Sequence, residues 1–283
     1  MLMRIFTLAL FTLIQWQHLQ AAQVTYANLL PPHAVANFVK SDASGNIYVA
    51  GTTPGWFTGV FISKISSDGA TLIYNQFLGV NPIGGQSVGV QALAVSPDGV
   101  AYVTSFFVAQ AAAPGSSSTI TKLDPLGNIL LNGPMGPASQ ASLNFVGYIL
   151  DMAADADGNL YATGVLGSAS SPPTVIAGNQ STGFLYKMDS NLNILWSAGY
   201  GGTHMAIDPA GNVYIVGTAT AGISTTPNAF QQAFSSVNNP NFAGCGMQVN
   251  QIGAFLVPCA HQYVIAVDKS GSRLIYATYL TGT

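Results

Sequence analysis

Asp151 and His204 each stand seven positions before the glycine of one recurring phrase, Gly158 and Gly211. Matching places in a repeat bring side chains to matching places in space, so the two approach one another if consecutive repeats pack together. An aspartate beside a histidine can hold the imidazole as a base or offer two ligands to a metal. That chemistry needs more than a pair. No serine or cysteine nucleophile is marked by a motif, and two ligands leave a metal site incomplete. No metal and no cofactor is therefore expected, and a structural ion pair or two solvated residues is the plainer reading.

A second kind of chemistry lies in long segments that contain no Asp, Lys or Arg: 52–59, 80–91, 106–118, 133–149, 165–182 and 218–262. They carry Trp56, Phe57, Phe106, Phe107, Phe230, Phe234 and Phe242 among Gly, Ser, Thr, Asn and Gln. Uncharged surfaces rich in aromatics and amides suit a glycan, a peptide or a protein partner better than a phosphate. Trp56, Phe57, Phe106, Phe107 and Phe230 are the candidate ligand-binding residues; the competing use of such aromatics is to staple loops onto the scaffold. The two cysteines, Cys245 and Cys259, fall in the last of these segments. In an exported chain they are expected to form a disulfide closing a loop of about 15 residues. The other reading, a pair of metal ligands, lacks a histidine cluster, because His261 stands alone.

The elements that would position these residues follow from repetition. DASGNIYVAG (42–51), SPDGVAYVTS (96–105), DADGNLYATG (155–164) and DPAGNVYIVG (208–217) are one phrase, and its glycines Gly45, Gly99, Gly158 and Gly211 are spaced by 54, 59 and 53 residues. Repeats of this period mark solenoids, propellers or arrays. Each copy carries four apolar runs of four to eight residues, rich in β-branched and aromatic types, as in ALAVS, AYVTS, TITKLD and NILL of the second copy. These are strands bounded by turn chemistry. The turn glycine supplies a positive φ, and Asp42, Asp155 or Asp208, with Ser96 in the second copy, binds nearby backbone amides. A second turn recurs at Gly69, Gly127 and Gly271; the third copy has Leu192 there, between Asn191 and Asn193, which tolerate the same conformation. Lys64, Lys122 and Lys187 recur on the third strand, where their stems are expected to pack and their ends to reach solvent. Calcium binding by the aspartates is disfavoured, since the carboxylates are too sparse for a six-oxygen cage.

Composition agrees with an all-β chain. Of 283 residues, 49% are apolar and only 6% are charged. All ten acidic residues are aspartates, and the net charge of −3 provides no basic field for nucleic acid. Residues 1–22 resemble a secretory signal: Arg4, the apolar run 5–14, then Ala21 and Ala22. Ten or so apolar residues are too few to span a bilayer comfortably, and no later run is long enough, so the mature chain is expected to lack a transmembrane segment and to be secreted or displayed at the cell surface.

The pattern A-h-D-x-x-G-N-h-Y-h-x-G, then K-h-x-x-x-G-x-x-h-h-Y-x-x-h-L, with TTPNAFQ (225–231) between, resembles the bacterial β-propeller repeat family often abbreviated SBBP, over nearly all of the mature chain. The resemblance implies an exported or surface β-propeller and brings no catalytic residues. Ser105, Ala266 and the long insert of the fourth copy depart from the pattern. The expected fold is thus all-β, a β-propeller of four-stranded antiparallel blades at about 36–79, 90–136, 149–202 and 203–283, within a domain over 23–283. Residues 23–30 (QVTYANLL) resemble the last strand, RLIYATYL (273–280), so the four repeats are read as a shortened or imperfectly closed ring, unless 23–30 is a loose leader. Function is expected to be non-catalytic recognition through the loop-rich face. The alternatives are a lyase or hydrolase with Asp151 and His204 at the channel mouth, and a structural repeat region of a larger surface protein.

Overall fold

The repeated phrase folds as a reverse turn whose carboxylate organises it. The computed structural model describes residues 34–53, 59–78, 87–108, 117–134, 147–166, 183–219, 223–232, 246–250, 253–257 and 261–280. Trp56, Phe57, Cys245, Cys259 and the segments 1–22 and 23–30 lie outside the described residues. In the first turn the Gly45 N–H donates to the Asp42 carbonyl, and Asp42 Oδ1 accepts the N–H groups of Ser44 and Asn46 at 3.0 and 2.9 Å. Asn46 Nδ2 and the Tyr48 hydroxyl complete the carboxylate at Oδ2. Asp155 and Asp208 repeat the set with Asn159 and Tyr161, and with Asn212 and Tyr214. Gly45, Gly99, Gly158 and Gly211 all take φ between +79° and +90°, the left-handed region that costs glycine nothing.

These turns generate four antiparallel meanders. The first sheet is β1 (Val35–Ser41), β2 (Ile47–Thr53), β3 (Gly59–Ile65) and β4 (Leu72–Leu78). The second is β5 (Ser87–Val95), β6 (Ala101–Val108), β7 (Ser117–Leu123) and β8 (Ile129–Pro134). The third is β9 (Gly147–Ala154), β10 (Leu160–Leu166), β11 (Gly183–Met188) and β12 (Ile194–Ala198). The fourth joins β13 (His204–Ile207), β14 (Val213–Ala219), β17 (His261–Val267) and β18 (Leu274–Leu280). Between β14 and β17 the chain inserts a two-stranded hairpin, β15 (Gly246–Asn250) and β16 (Gly253–Val257). That hairpin was not anticipated within 218–262, where glycine and amide residues mask the strand pattern. The described residues contain no helix, and so none long and apolar enough to cross a membrane.

A single sheet cannot bury both faces, and stacking solves this in chain order, with β1, β5, β9 and β13 side by side. Three cores result. Tyr48, Ala50, Val60 and Ile62 meet Leu93, Ala101, Val103 and Leu123 between the first two sheets. Ala94, Tyr102 and Ile120 meet Met152, Leu160, Phe184 and Tyr186 between the second and third. Tyr161, Leu185 and Trp196 meet Val213, Ile215, Tyr263 and Tyr279 between the third and fourth. Strand alternation lets β10 serve two cores, with Leu160 and Ala162 on one face and Tyr161 on the other.

The recurring lysines fasten these joints, contrary to the expectation that their ends reach solvent. Lys64 donates to the Pro125 carbonyl at 3.1 Å, Lys122 to that of Ser190 at 2.7 Å, and Lys187 to that of Lys269 at 3.4 Å. Each acceptor sits in the second turn of the following sheet. Each ammonium also lies over a tyrosine ring, of Tyr48, Tyr102 or Tyr161, at 5.0, 5.7 and 5.1 Å. Lys64 and Lys187 are buried and pair with Asp42 and Asp155 at 3.6 and 3.8 Å. Burial is tolerable because carbonyl, carboxylate and ring together replace water.

The second turns hold one more surprise. Leu192 itself, rather than a flanking asparagine, adopts the left-handed conformation, at φ 64°. A Cβ on Gly127 would meet the Tyr74 ring at 2.7 Å, and one on Gly271 would meet Trp196 at 2.4 Å. The residue that corresponds to Tyr74 and Trp196 in the second sheet is the smaller Leu131, and Leu192 is buried in the core that Leu131 packs against. An aromatic with a glycine at two joints is exchanged for two leucines at the third.

Candidate functional site

A register shift in β9 shapes the surroundings of Asp151. Thr163 pairs with Asp151 and Gly164 with Ile149, so Leu150 is bulged out; β1 and β5 bulge at the same place, just before Phe38 and Ala92. Such a bulge re-aims the following side chain. Phe38 packs against the first core and Ala92 is fully buried. Asp151 instead turns towards the fourth sheet. Its Oδ1 accepts the Met152 N–H at 2.9 Å, and its Oδ2 accepts the N–H of Met205, on β13, at 2.8 Å.

The expected neighbour is present, but loosely. His204 Nδ1 lies 3.9 Å from Asp151 Oδ2, beyond hydrogen-bond length, and the imidazole side chain is 82% exposed. The Thr163 hydroxyl beside them donates to the Phe184 carbonyl at 3.0 Å and accepts the Gly202 N–H at 2.8 Å. With the Tyr263 hydroxyl bound to the Gly201 carbonyl, these groups form a polar seam that closes the third sheet onto the fourth. Asp151 accepts one backbone amide on each oxygen and makes no hydrogen bond to the imidazole, so it does not orient that ring. Among the described residues no group of three or more His, Cys, Asp or Glu side chains is placed to hold a metal. The Thr163–Gly202 bond escapes sequence reading, because a backbone N–H has no signature in residue types.

Of the aromatic candidates, Phe230 is placed apart from this pair. Phe230 is exposed in the segment 223–232, which docks along the outer strand β18 while Asp151 and His204 sit on first strands. The Thr226 N–H donates to the Ala277 carbonyl and the Tyr279 N–H to that of Gln231, while the Phe230 N–H donates to the Tyr276 hydroxyl. The TTPNAFQ motif thus covers the free edge of the fourth sheet. Phe106 and Phe107 lie on β6, paired through the backbone with Ser118 and Ser117 of β7. The strand ends leading into 54–58, 109–116 and 167–182 lie opposite the glycine turns, as the antiparallel order requires.

A cleft that sequence analysis did not single out opens at the turn pole. It has a volume of about 350 Å³ and lies between the third and fourth sheets, lined among others by Asp155, Asp157, Asp208 and Lys269. Lys269 donates to Asp157 at 2.7 Å across it, which holds the Asp157 carboxyl below its usual range and pushes the Lys269 ammonium up. Burial lowers the Lys187 pKa behind it, against the opposing pull of Asp155. Asp155 and Asp208 each accept three or more hydrogen bonds within their own turns. The cleft is a seam between turns whose carboxylates are already held by hydrogen bonds or by a lysine. The paired turns D-A-D-G and D-P-A-G are the signal that marks it.

No family model matches the chain, and no curated protein matches it. Among solved structures, it is similar to the polysaccharide lyase Uly1 at 10% identity and a TM-score of 0.40, over 85% of this chain and 56% of that one. It is similar to a Synechocystis apocarotenoid oxygenase at 8% identity and a TM-score of 0.37, over 86% and 61%. A eukaryotic initiation factor aligns at 8% identity and a TM-score of 0.31, over 87% and 55%. The chain thus spans between about half and three fifths of the length of these structures.

Proposed function

We propose that the chain is an exported β-propeller-type module, its four sheets serving as blades, that recognises a glycan, peptide or protein partner without catalysis through the pole opposite its glycine turns. One observation carries this reading: all ten carboxylates are engaged in turns or joints. Asp42, Asp68, Asp98, Asp124, Asp155, Asp189, Asp208 and Asp268 bind groups of their own turns. Asp151 and Asp157 join the third sheet to the fourth. General acid–base work and metal activation both need a carboxylate directed at a substrate or an ion, whereas each of these is held by hydrogen bonds within the scaffold. What remains for a partner is the uncharged aromatic and amide chemistry of the variable segments, where function commonly resides on a rigid frame. The repeat pattern's resemblance to exported propellers supports the same reading. A glycan and peptide binding screen on the exported chain tests it. Binding that falls at least about tenfold in the Trp56→Ala/Phe57→Ala variant is expected; binding that survives intact, or turnover that disappears with Asp151→Ala, overturns the proposal.

A further inference from the structure

The three internal joints leave half a joint at each end of the stack. Tyr48, Tyr102 and Tyr161 are buried under the following sheet, as are Ala50, Thr104 and Thr163 two residues further on. Their counterparts on β14, Tyr214 and Val216, are 37% and 38% exposed. On the opposite face, Leu93 and Met152 are buried against the preceding sheet, and so is Tyr279. The corresponding residues of the first sheet, Val39 and Phe77, are 65% and 51% exposed. The leading face of the fourth sheet and the trailing face of the first are therefore the two complementary halves of a joint made three times within the chain, and neither covers the other.

We propose that a second copy of this chain fills both halves: the fourth sheet of each protomer docks on the first sheet of the other. Two such head-to-tail joints bury every terminal face and close an eight-bladed ring, at the upper end of the common propeller range. The occupant is argued from continuity, because another copy presents both an unfilled leading face and an unfilled trailing face of this repeat, the two halves that meet at the three internal joints. The lysine position explains why this joint is made between chains. Ala266 stands opposite Tyr214 where Lys64, Lys122 and Lys187 stand opposite their tyrosines. Tyr214 and its partner Asp208 are in place, at 3.2 Å, and only the ammonium is missing. The joint is built on the internal plan without its polar latch, which makes it the weakest of the set and reversible.

Sedimentation velocity and light scattering of the full exported chain test this, whatever the loop pole binds. A species of twice the chain mass is expected, in concentration-dependent exchange with the monomer. Val39→Asp and Val216→Asp each weaken it at least about tenfold, and both positions are exposed in the single chain, so both variants fold. An equimolar mixture of the two variants recovers a heterodimer through its one unaltered joint. Ala266→Lys tightens the dimer by restoring the latch onto the first sheet's second turn. A chain that stays monomeric at every concentration, a dimer indifferent to all three substitutions, or an open ladder of larger species overturns the proposal.

Discussion

Asp151 illustrates how a residue chosen for its chemistry can be held for its geometry. Both oxygens accept backbone N–H groups, one from the fourth sheet, while His204 projects into solvent. Removing the carboxylate strands the Met205 N–H in a partly buried seam, so Asp151→Ala should destabilise the chain by about 1–3 kcal/mol. His204→Ala should change stability by no more than about 0.5 kcal/mol. Urea titrations of the two variants measure the contrast; equal losses would mean that the pair acts as a unit. Counting back from the turn glycines was enough to bring Asp151 and His204 together. What the count could not supply was the competitor for the carboxylate. Residue types report side-chain acceptors, whereas the decisive donor is a main-chain amide brought in by a neighbouring sheet.

At the scale of the element, the hairpins were legible because each of their requirements is local. A glycine at positive φ, an aspartate three residues before it, and strands of alternating burial all lie within a dozen residues. The lysine latch was not legible, since its acceptors, the carbonyls of Pro125, Ser190 and Lys269, lie 61 to 82 residues away in sequence. The exchange at Leu192 belongs to the same class, and it makes a coupled prediction. Leu192→Gly relieves a left-handed leucine, worth about 1–2 kcal/mol, but forfeits a buried side chain whose loss costs about 2–5 kcal/mol. A net destabilisation of about 1–3 kcal/mol follows. Leu131→Tyr alone drives an aromatic ring into Leu192 and is also destabilising. The double variant rebuilds the tyrosine–glycine joint of Tyr74 and Gly127, and should be more stable than the sum of the single losses by about 0.5–3 kcal/mol. Strict additivity in a double-mutant cycle would disconnect the two positions.

For the whole molecule, the governing asymmetry is that aspartate is the only acidic residue type and the turns hold most of it. Burial pushes the Asp42, Asp189 and Asp268 carboxyls up, but hydrogen bonds from Asn46 and Tyr48, from Asn193, and from Ser270 and Ser272 outweigh it and leave each below its ordinary value. Asp124 and Asp208 are lowered first by the side chains of Asn128 and Asn212, Asp68 by the Ser66 hydroxyl, and Asp157 by Lys269. A carboxyl lowered in the folded state contributes stability that is complete above its unfolded value of about 3.9 and disappears as pH falls through the folded one. All these shifts share one sign, and no glutamate is present to offset them. The thermal midpoint should therefore be level from neutrality down to about pH 5 and then fall steeply, as turns in all four sheets lose their carboxylates together. Asp42→Asn keeps a side-chain acceptor for the turn but no charge, so it should lower the midpoint at neutral pH and converge on the parent chain in acid. A midpoint that rises on acidification, or a gap between the two chains that widens there, would show that the turn carboxylates are not what holds the stack at neutral pH.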